Sequence, residues 1–266
     1  MTTVSERTKA KGAPAGPRAS EIMAAAGARE LRDGEVVIVG LGLPEIATVL
    51  AKRTHAPRLS ALLEIGVMNS IPKDTPVGLA DSRIFYRATC RSGFLDVMGM
   101  NLHRGVVDVG FLGALELDRY GNINTTLLKR EDGRVRYING SAGGNDLASL
   151  AKRVMVIMRH EKRKLPLAVT HLTSPGFAGG RSREELGLRG GGPHRVITDM
   201  GVLGFDPVTH SASVVSVHPG VRVEDLVENT GFPLQVPEKV PVTPLPTAEE
   251  LRLLREEIDP KGTHLK

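Results

Sequence analysis

Val36–Gly66 reads VVIVGLGLPEIATVLAKRTHAPRLSALLEIG, and the fold turns on this stretch. Its first residues are β-branched and continuously apolar, as in a strand buried on both faces. A Gly40-x-Gly42 turn follows. Pro44 fits the first position of a helix, where its missing N–H costs nothing. Ile46, Val49 and Leu50 recur at the spacing of one helical face. LSALLEIGV then reads as a second buried strand carrying one acid, Glu64. Strand, turn, helix and strand make a βαβ unit, which implies a parallel strand pair joined by a right-handed crossover.

The alternation continues outward. Upstream, Ser20 is expected to cap a helix over EIMAAAGAREL, which Asp33-Gly34 ends. Downstream, a helix is expected around Ser92 to Leu102, then the strand VVDVGFLG and a turn at Tyr120-Gly121-Asn122. RVRYINGSAGGNDLASLAKRVMVIMRH reads as strand, Gly-rich loop, helix and strand. LAVTHLT, HRVITDMGVLGFD and SASVVSVHPG read as later strands, the last two hairpin-like. Thr247 and Glu250 form a capping box ahead of a final helix, AEELRLLREEI. The expected class is α/β: an open, mainly parallel sheet flanked by helices. With no internal repeat or low-complexity linker, residues 20–266 read as one domain behind a disordered N-terminal arm, 1–19.

Composition narrows the function. Aromatic residues make up 3% of the 266 and Trp is absent, which argues against a base-stacking surface for single strands. The net charge of +5 suits a phosphate-bearing ligand as well as nucleic acid, and it is spread along the chain, so a solvated basic face is expected and no nucleic-acid partner. Cys90 is the single cysteine, which excludes an intrachain disulfide or a cysteine-based metal site and suits a reducing cytoplasm; it is expected to be a packing residue. No apolar run approaches the ~20 residues of a membrane helix, so no membrane partner is expected. The basic, acid-poor N-terminus reads as the disordered arm, with a transit peptide as the alternative. His171 and His218 lack metal-ligand partners at useful spacing and read as structural; no metal is expected.

Two glycine-rich turns could hold a ligand. The dinucleotide fingerprint wants Gly-x-Gly-x-x-Gly and an acid about 20 residues on. Gly40 and Gly42 match, and Glu64 lies 22 residues beyond Gly42, but Glu45 stands where the third glycine should be. A carboxylate there suits a helix start yet repels a pyrophosphate. The second turn, Gly140-Ser141-Ala142-Gly143-Gly144-Asn145-Asp146, follows a strand and opens a helix that Asn145 or Asp146 could cap. Its backbone amides could form a nest for an oxyanion or phosphate, or simply make a tight turn. On these patterns Glu64 stays open to three roles: a ribose-holding acid, a strand-end acid reaching solvent, or the group that does the chemistry.

Five segments in order carry a resemblance: VVDVGFLGALELDRYGNINTT, INGSAGGNDLAS, GGGPHRVITDMGVLGFD, HPGVRVEDLVENTGF and EIDPKG. Together they resemble the β subunit of class I coenzyme A transferases, most of all the glutaconate CoA-transferase β subunits, from about Glu30 to Gly262. The resemblance implies the α/β fold of that family (CoA-transferase/NagB-like). It also implies a nucleophilic glutamate in a Glu-Asn-Gly or Glu-Ser-Gly turn at a strand end. Glu64-Ile65-Gly66 is the matching tripeptide, with Ile65 in place of the polar residue and Asn69 where many members have a second glycine. The loop Gly140–Asp146 matches the family's GxGGAxD-like segment, implying that it shapes the site beside Glu64 and the thioester. Gly66 and Asn122 are expected to contact substrate, Asn122 within a RYGNIN turn near the site.

Coenzyme A would then be a substrate, with no cofactor required. An α subunit is implied as partner, in an α2β2 or larger hetero-oligomer. The implied reaction moves CoA between carboxylic acids through a covalent glutamyl-CoA thioester, the acyl group being a small dicarboxylate such as glutaconate. The apolar flanks Leu62, Leu63, Ile65 and Val67 would dry the site around Glu64. The alternatives are a CoA-thioester hydrolase or acyl-CoA decarboxylase on the same fold, in which the glutamate is typically replaced, and a nucleotide-binding module.

Overall fold

β-Branched runs become strands where both their faces can be covered, and the computed structural model of the chain builds its sheet from them. It describes residues 16–70, 76, 78–129 and 132–265. In chain order the strands are β1 (Val36–Val39), β2 (Ser60–Leu63), β3 (Val67–Met68), β4 (Cys90–Arg91), β5 (Val109–Leu112), β6 (Glu116–Leu117), β7 (Ile123–Asn124), β8 (Leu127–Lys129), β9 (Val135–Tyr137), β10 (Arg153–Ile157), β11 (Pro193–Ile197), β12 (Gly201–Phe205) and β13 (Ala212–Val217). The α-helices are α1 (Ala19–Arg29), α2 (Leu43–Arg53), α3 (Gly144–Leu150), α4 (Val223–Glu228) and α5 (Ala248–Arg252). Leu95–Asn101 and Leu253–Ile258 are wound as π-helix.

The main sheet has the order β13-β12-β11-β10-β5-β1-β2-β3-β4. Its five central strands, β11 to β2, run parallel, and both wings are antiparallel. β2 lies on one side of β1 and β5 on the other. The chain therefore reverses its direction of travel across the sheet between β1 and β5, and a crevice opens outside the strand ends there.

Alternating side chains explain the layers. Val37 and Val39 pack with Leu50, Phe111 and Leu254 on the face covered by α1, α2 and the C-terminal helix. Ile38 and Leu62 pack with Met98, Leu102 and Leu147 on the opposite face. A third cluster, including Val156, Leu203 and Phe232, fills the β10–β13 end. Among the described residues no helix is long and apolar enough to cross a membrane.

Several expectations are corrected. Glu21 closes the start of α1 by accepting the Arg18 N–H at 2.7 Å, and Ser20 is buried inside the helix. Ala19 is likewise helical rather than part of the arm, of which residues 1–15 lie outside the described residues. Pro44 is the second residue of α2, not the first. LSALLEIGV is not one strand: it doubles back at Glu64 into β3. HRVITDMGVLGFD splits into the β11–β12 hairpin. LAVTHLT forms no strand. Gly143, not Asn145 or Asp146, is the N-cap of α3. Cys90 is exposed on the edge strand β4 and is not a packing residue. The Thr247–Glu250 capping box forms as expected.

Candidate active site

Glu64 sits at the tip of a hairpin. β2 and β3 pair Leu63 with Val67 and Leu62 with Met68, leaving a three-residue loop, Glu64-Ile65-Gly66. The Gly66 N–H closes it on the Leu63 carbonyl at 2.9 Å. A three-residue hairpin loop needs a residue with positive φ at its last position, and Gly66 has φ 99°. A Cβ there would lie 2.0 Å from the Ser92 carbonyl oxygen, so only glycine fits. Gly66 thus makes the turn, and it does not line the cleft into which Glu64 looks. At the base, Asn69 donates its N–H to the Ala61 carbonyl (2.8 Å) and accepts the Ala61 N–H on Oδ1 (3.0 Å). Its φ of 50° lies in the left-handed region, which asparagine, like glycine, tolerates.

Glu64 is half-buried, above the buried Leu62, Leu63 and Val67. Its Oε2 accepts the Gly143 N–H at 3.1 Å, across 79 residues of sequence. The turn Ser141–Gly144 aims that N–H: Gly144 N–H bonds the Ser141 carbonyl at 2.8 Å, and Ala142 takes φ 42°. Gly143 is pressed between Met98 and Glu64. A Cβ on it would stand 2.5 Å from Met98 Cε and 2.7 Å from Glu64 Oε2.

The carboxylate faces a cleft of about 380 Å³ at the ends of the parallel strands, where the chain reverses direction. Gly40 ends β1 and Gly113 follows β5, and both line it. From the second turn come Gly140, Ser141, Ala142 and Gly144. Leu115 and Ile138 add apolar wall, and Thr125 and Ser174 add hydroxyls. Glu64 and the Gly140–Gly144 loop, two separate motifs of the sequence, thus meet at one site.

Other expected site residues lie elsewhere. Asn145 ties the loop to the body through Nδ2 and the Thr173 carbonyl (2.9 Å), and neither it nor Asp146 lines the cleft. Asn122 is buried away from it. Its Nδ2 donates to Asp118 Oδ2 at 2.9 Å and its Oδ1 accepts the Gly176 N–H at 2.9 Å, which leaves the amide committed within the fold. Burial pushes the Asp118 carboxyl above the ordinary aspartate range despite three N–H donors from Asn122 and Tyr120. The RYGNIN segment therefore reaches the cleft through Ile123, which lines it, while Asn122 is tied up beneath. His218 is structural as expected, bonded to Thr243 Oγ1 and the Thr198 carbonyl. Sequence reading missed Gly40 as a cleft residue, having assigned it to a nucleotide motif, and missed Gly113, Thr125 and Ser174. A glycine ending each of two neighbouring parallel strands was the available signal.

A family model described as Coenzyme A transferase matches residues 20–229. The chain is 35% identical to the β subunit of the 3-oxoadipate CoA-transferase of Pseudomonas knackmussii, over 89% of this chain and 91% of that one. It is also 35% identical to the β subunit of the glutaconate CoA-transferase of Acidaminococcus fermentans, over 90% and 92%. The solved glutaconate coenzyme A-transferase of A. fermentans superposes with a TM-score of 0.86 at 33% identity, covering 94% of this chain and 97% of its own. The decarboxylase AibA/AibB superposes at 0.79 with 28% identity, covering 92% and 96%. With the family model spanning most of its length, the chain belongs to the coenzyme A transferase family.

Proposed function

We propose that this chain is the β-type subunit of a CoA-transferase and that Glu64 is its covalent nucleophile. The observation that carries the reading is the Glu64 carboxylate, held by the Gly143 N–H at 3.1 Å and facing the cleft. A Glu64 oxygen attacks the thioester carbonyl, the C–S bond breaks, and CoA leaves as the thiolate. A mixed anhydride remains. The thiolate then attacks the glutamyl carbonyl and expels the first acid as its carboxylate, giving a glutamyl-CoA thioester. The second acid runs the same steps in reverse, so one difficult exchange becomes several easier ones. When the thiolate adds to the glutamyl carbonyl, negative charge develops on a Glu64 oxygen, and the Gly143 N–H is already directed at it. One such donor is worth about 3–4 kcal/mol in studied cases.

The acyl group we assign is that of a small dicarboxylic acid such as glutaconate. This rests on the names of the two relatives, since oxoadipate and glutaconate are both dicarboxylates. The partner is an α-type subunit in an α2β2 or larger assembly, with coenzyme A as substrate. Each of the two relatives is itself one subunit of its enzyme. Large apolar side chains stand out in water as well: Tyr137 and Leu95 are 77% and 73% exposed, with Phe94, Met100 and Ile138 also exposed. Ile138 lines the cleft itself, as expected of a mouth that a second chain closes.

The fold match to AibA/AibB makes decarboxylation the second reading. Borohydride treatment of the complex after incubation with acyl-CoA separates the two. Transfer predicts a reduced residue at position 64, absent in Glu64→Gln, and a loss of exchange on the order of 10³-fold or more in that variant. Decarboxylation or hydrolysis predicts turnover without an acceptor acid and no reduced Glu64. Exchange at the parental rate in Glu64→Gln would end the proposal.

A further inference from the structure

The hairpin that carries Glu64 is short and lightly held on one side. β3 has two residues and pairs outward only with the two-residue β4. At its base, opposite the tip, stands Lys52 near the end of α2. Its Nζ donates to the Leu59 carbonyl at 2.6 Å and to Asn69 Oδ1 at 2.8 Å. Asn69 Oδ1 also takes the Ala61 N–H, so one oxygen joins the helix, the start of β2 and the residue after β3. Among the described residues Lys52 has two acceptors, both neutral oxygens. A half-buried ammonium held only by neutral oxygens gains little from ion pairing and is disfavoured by its surroundings, and burial indeed pushes the Lys52 pKa below the ordinary lysine value. What the contact supplies is geometry.

We propose that Lys52, through Asn69, is a positioning residue for Glu64: it fixes the angle at which the hairpin leaves the sheet and so sets the carboxylate on the Gly143 N–H. The inference rests on the reading of Glu64 as the reacting group. Lys52 does not touch the site. With Ala61 and Asn69 it lines a different cavity, of about 340 Å³, and none of the three lines the cleft that holds Glu64. Three residues of strand separate the base from the tip, roughly 10 Å. A tilt of about 6° at the base therefore moves the tip by about 1 Å, and a misplacement of that size can cost on the order of 100-fold in rate.

The test uses the complex purified with its α-type partner, comparing the parent with Lys52→Met, Asn69→Gly and the double variant. Asn69→Gly keeps a residue that accepts φ 50° and removes the side-chain amide that supplies Oδ1. Three results are expected. The rate of borohydride-trappable adduct falls roughly 10- to 100-fold in each single variant, with acyl-CoA affinity unchanged. The double variant falls no further than the lower single, because both break one clamp. Crystal structures of the variants show Glu64 Oε2 moved off Gly143 N. Parental adduct rates with that contact still near 3.1 Å would overturn the proposal, as would additive losses in the double variant. If the parent itself forms no adduct, yet Lys52→Met still loses the contact, the nucleophile reading fails and the positioning role stands. Should Lys52→Met not assemble, Asn69→Gly carries the same expectations.

Discussion

Gly40–Glu45 and Gly140–Asn145 each lead from a strand into a helix through glycine, and each lends residues to the same cleft. They differ in what the helix start faces. In the first turn Gly42 bends at φ 98°, Pro44 has no N–H to offer, and Glu45 folds inward. Burial, with Asp259 nearby, pushes the Glu45 carboxyl up to about 7, and its Oε2 has no hydrogen-bond partner among the described residues. In the second turn Ala142 bends at φ 42° and Gly143 directs an N–H outward to Glu64. One turn buries its own acid without a partner among the described residues, and the other offers its start to an acid carried by another strand. Glycine spacing alone does not separate these uses. The helix start does: Pro44 has no N–H to offer, whereas Gly143 has one and donates it to Glu64.

The largest effect on this contrast is expected from Gly143→Ala. Its φ of −78° suits alanine, and the atoms in the way are the flexible ends of Met98 and Glu64, so the fold should persist. Glu64 must then leave its N–H. Adduct formation is expected to fall on the order of 100-fold with little change in melting temperature, as stopped-time borohydride trapping and thermal melts would show. An unchanged rate would mean that the Gly143–Glu64 contact has no part in the reaction. The matching change in the first turn is Gly42→Ala. There φ 98° with ψ −144° admits only glycine, so the expected loss is stability, about 1–3 kcal/mol by urea titration.

How far the sequence could be read follows from the same two turns. The unit β1–α2–β2 was legible because β-branched runs and a 3.6-residue period report burial directly. The motif around Glu64 was legible as a tripeptide, and the Gly140–Asp146 loop as a cluster. Their meeting was expected only through the family resemblance and not from the residue pattern, since it depends on β5 lying beside β1 and on α3 packing over Gly110, where Leu147 and Ala151 would crowd any side chain. The hairpin at Glu64 was hidden because LSALLEIGV is apolar but for Ser60 and Glu64 and reads as one strand; only Gly66, with its backbone pressed against Ser92, marks the reversal. Asn122 misled for the opposite reason. A polar residue in a turn reads as available to a ligand until the fold buries it and engages both ends of its amide.

Glu45→Gln probes the first turn through pH. The folded chain keeps the Glu45 proton up to about pH 7, whereas an unperturbed glutamate releases it near 4.5. The stabilisation from that proton is complete below pH 4.5 and is lost as pH rises through 7. Glutamine mimics the protonated form. The variant should therefore gain about 1–3 kcal/mol over the parent at pH 8 and most of that gain should vanish by pH 5, with transfer activity little changed. Equal melting temperatures for variant and parent at both pH values would mean that Glu45 is not held protonated.

The smallest expected effect comes from Ala142→Gly. A side chain at φ 42° costs about 1 kcal/mol relative to glycine, partly offset by the greater freedom of glycine in the unfolded chain. A rise of about 1–3 °C in melting temperature should result. The rate is the more telling measurement. Ala142 lines the cleft and immediately precedes the residue that donates to Glu64. If strain at this position helps hold the Gly143 N–H on the carboxylate, relaxing it makes the protein more stable and the adduct slower to form, by a few-fold. If stability rises and the rate does not move, the aim of the N–H is set by Met98 and the Ser141–Gly144 hydrogen bond alone, and the left-handed alanine is a tolerated cost of the turn rather than part of how it works.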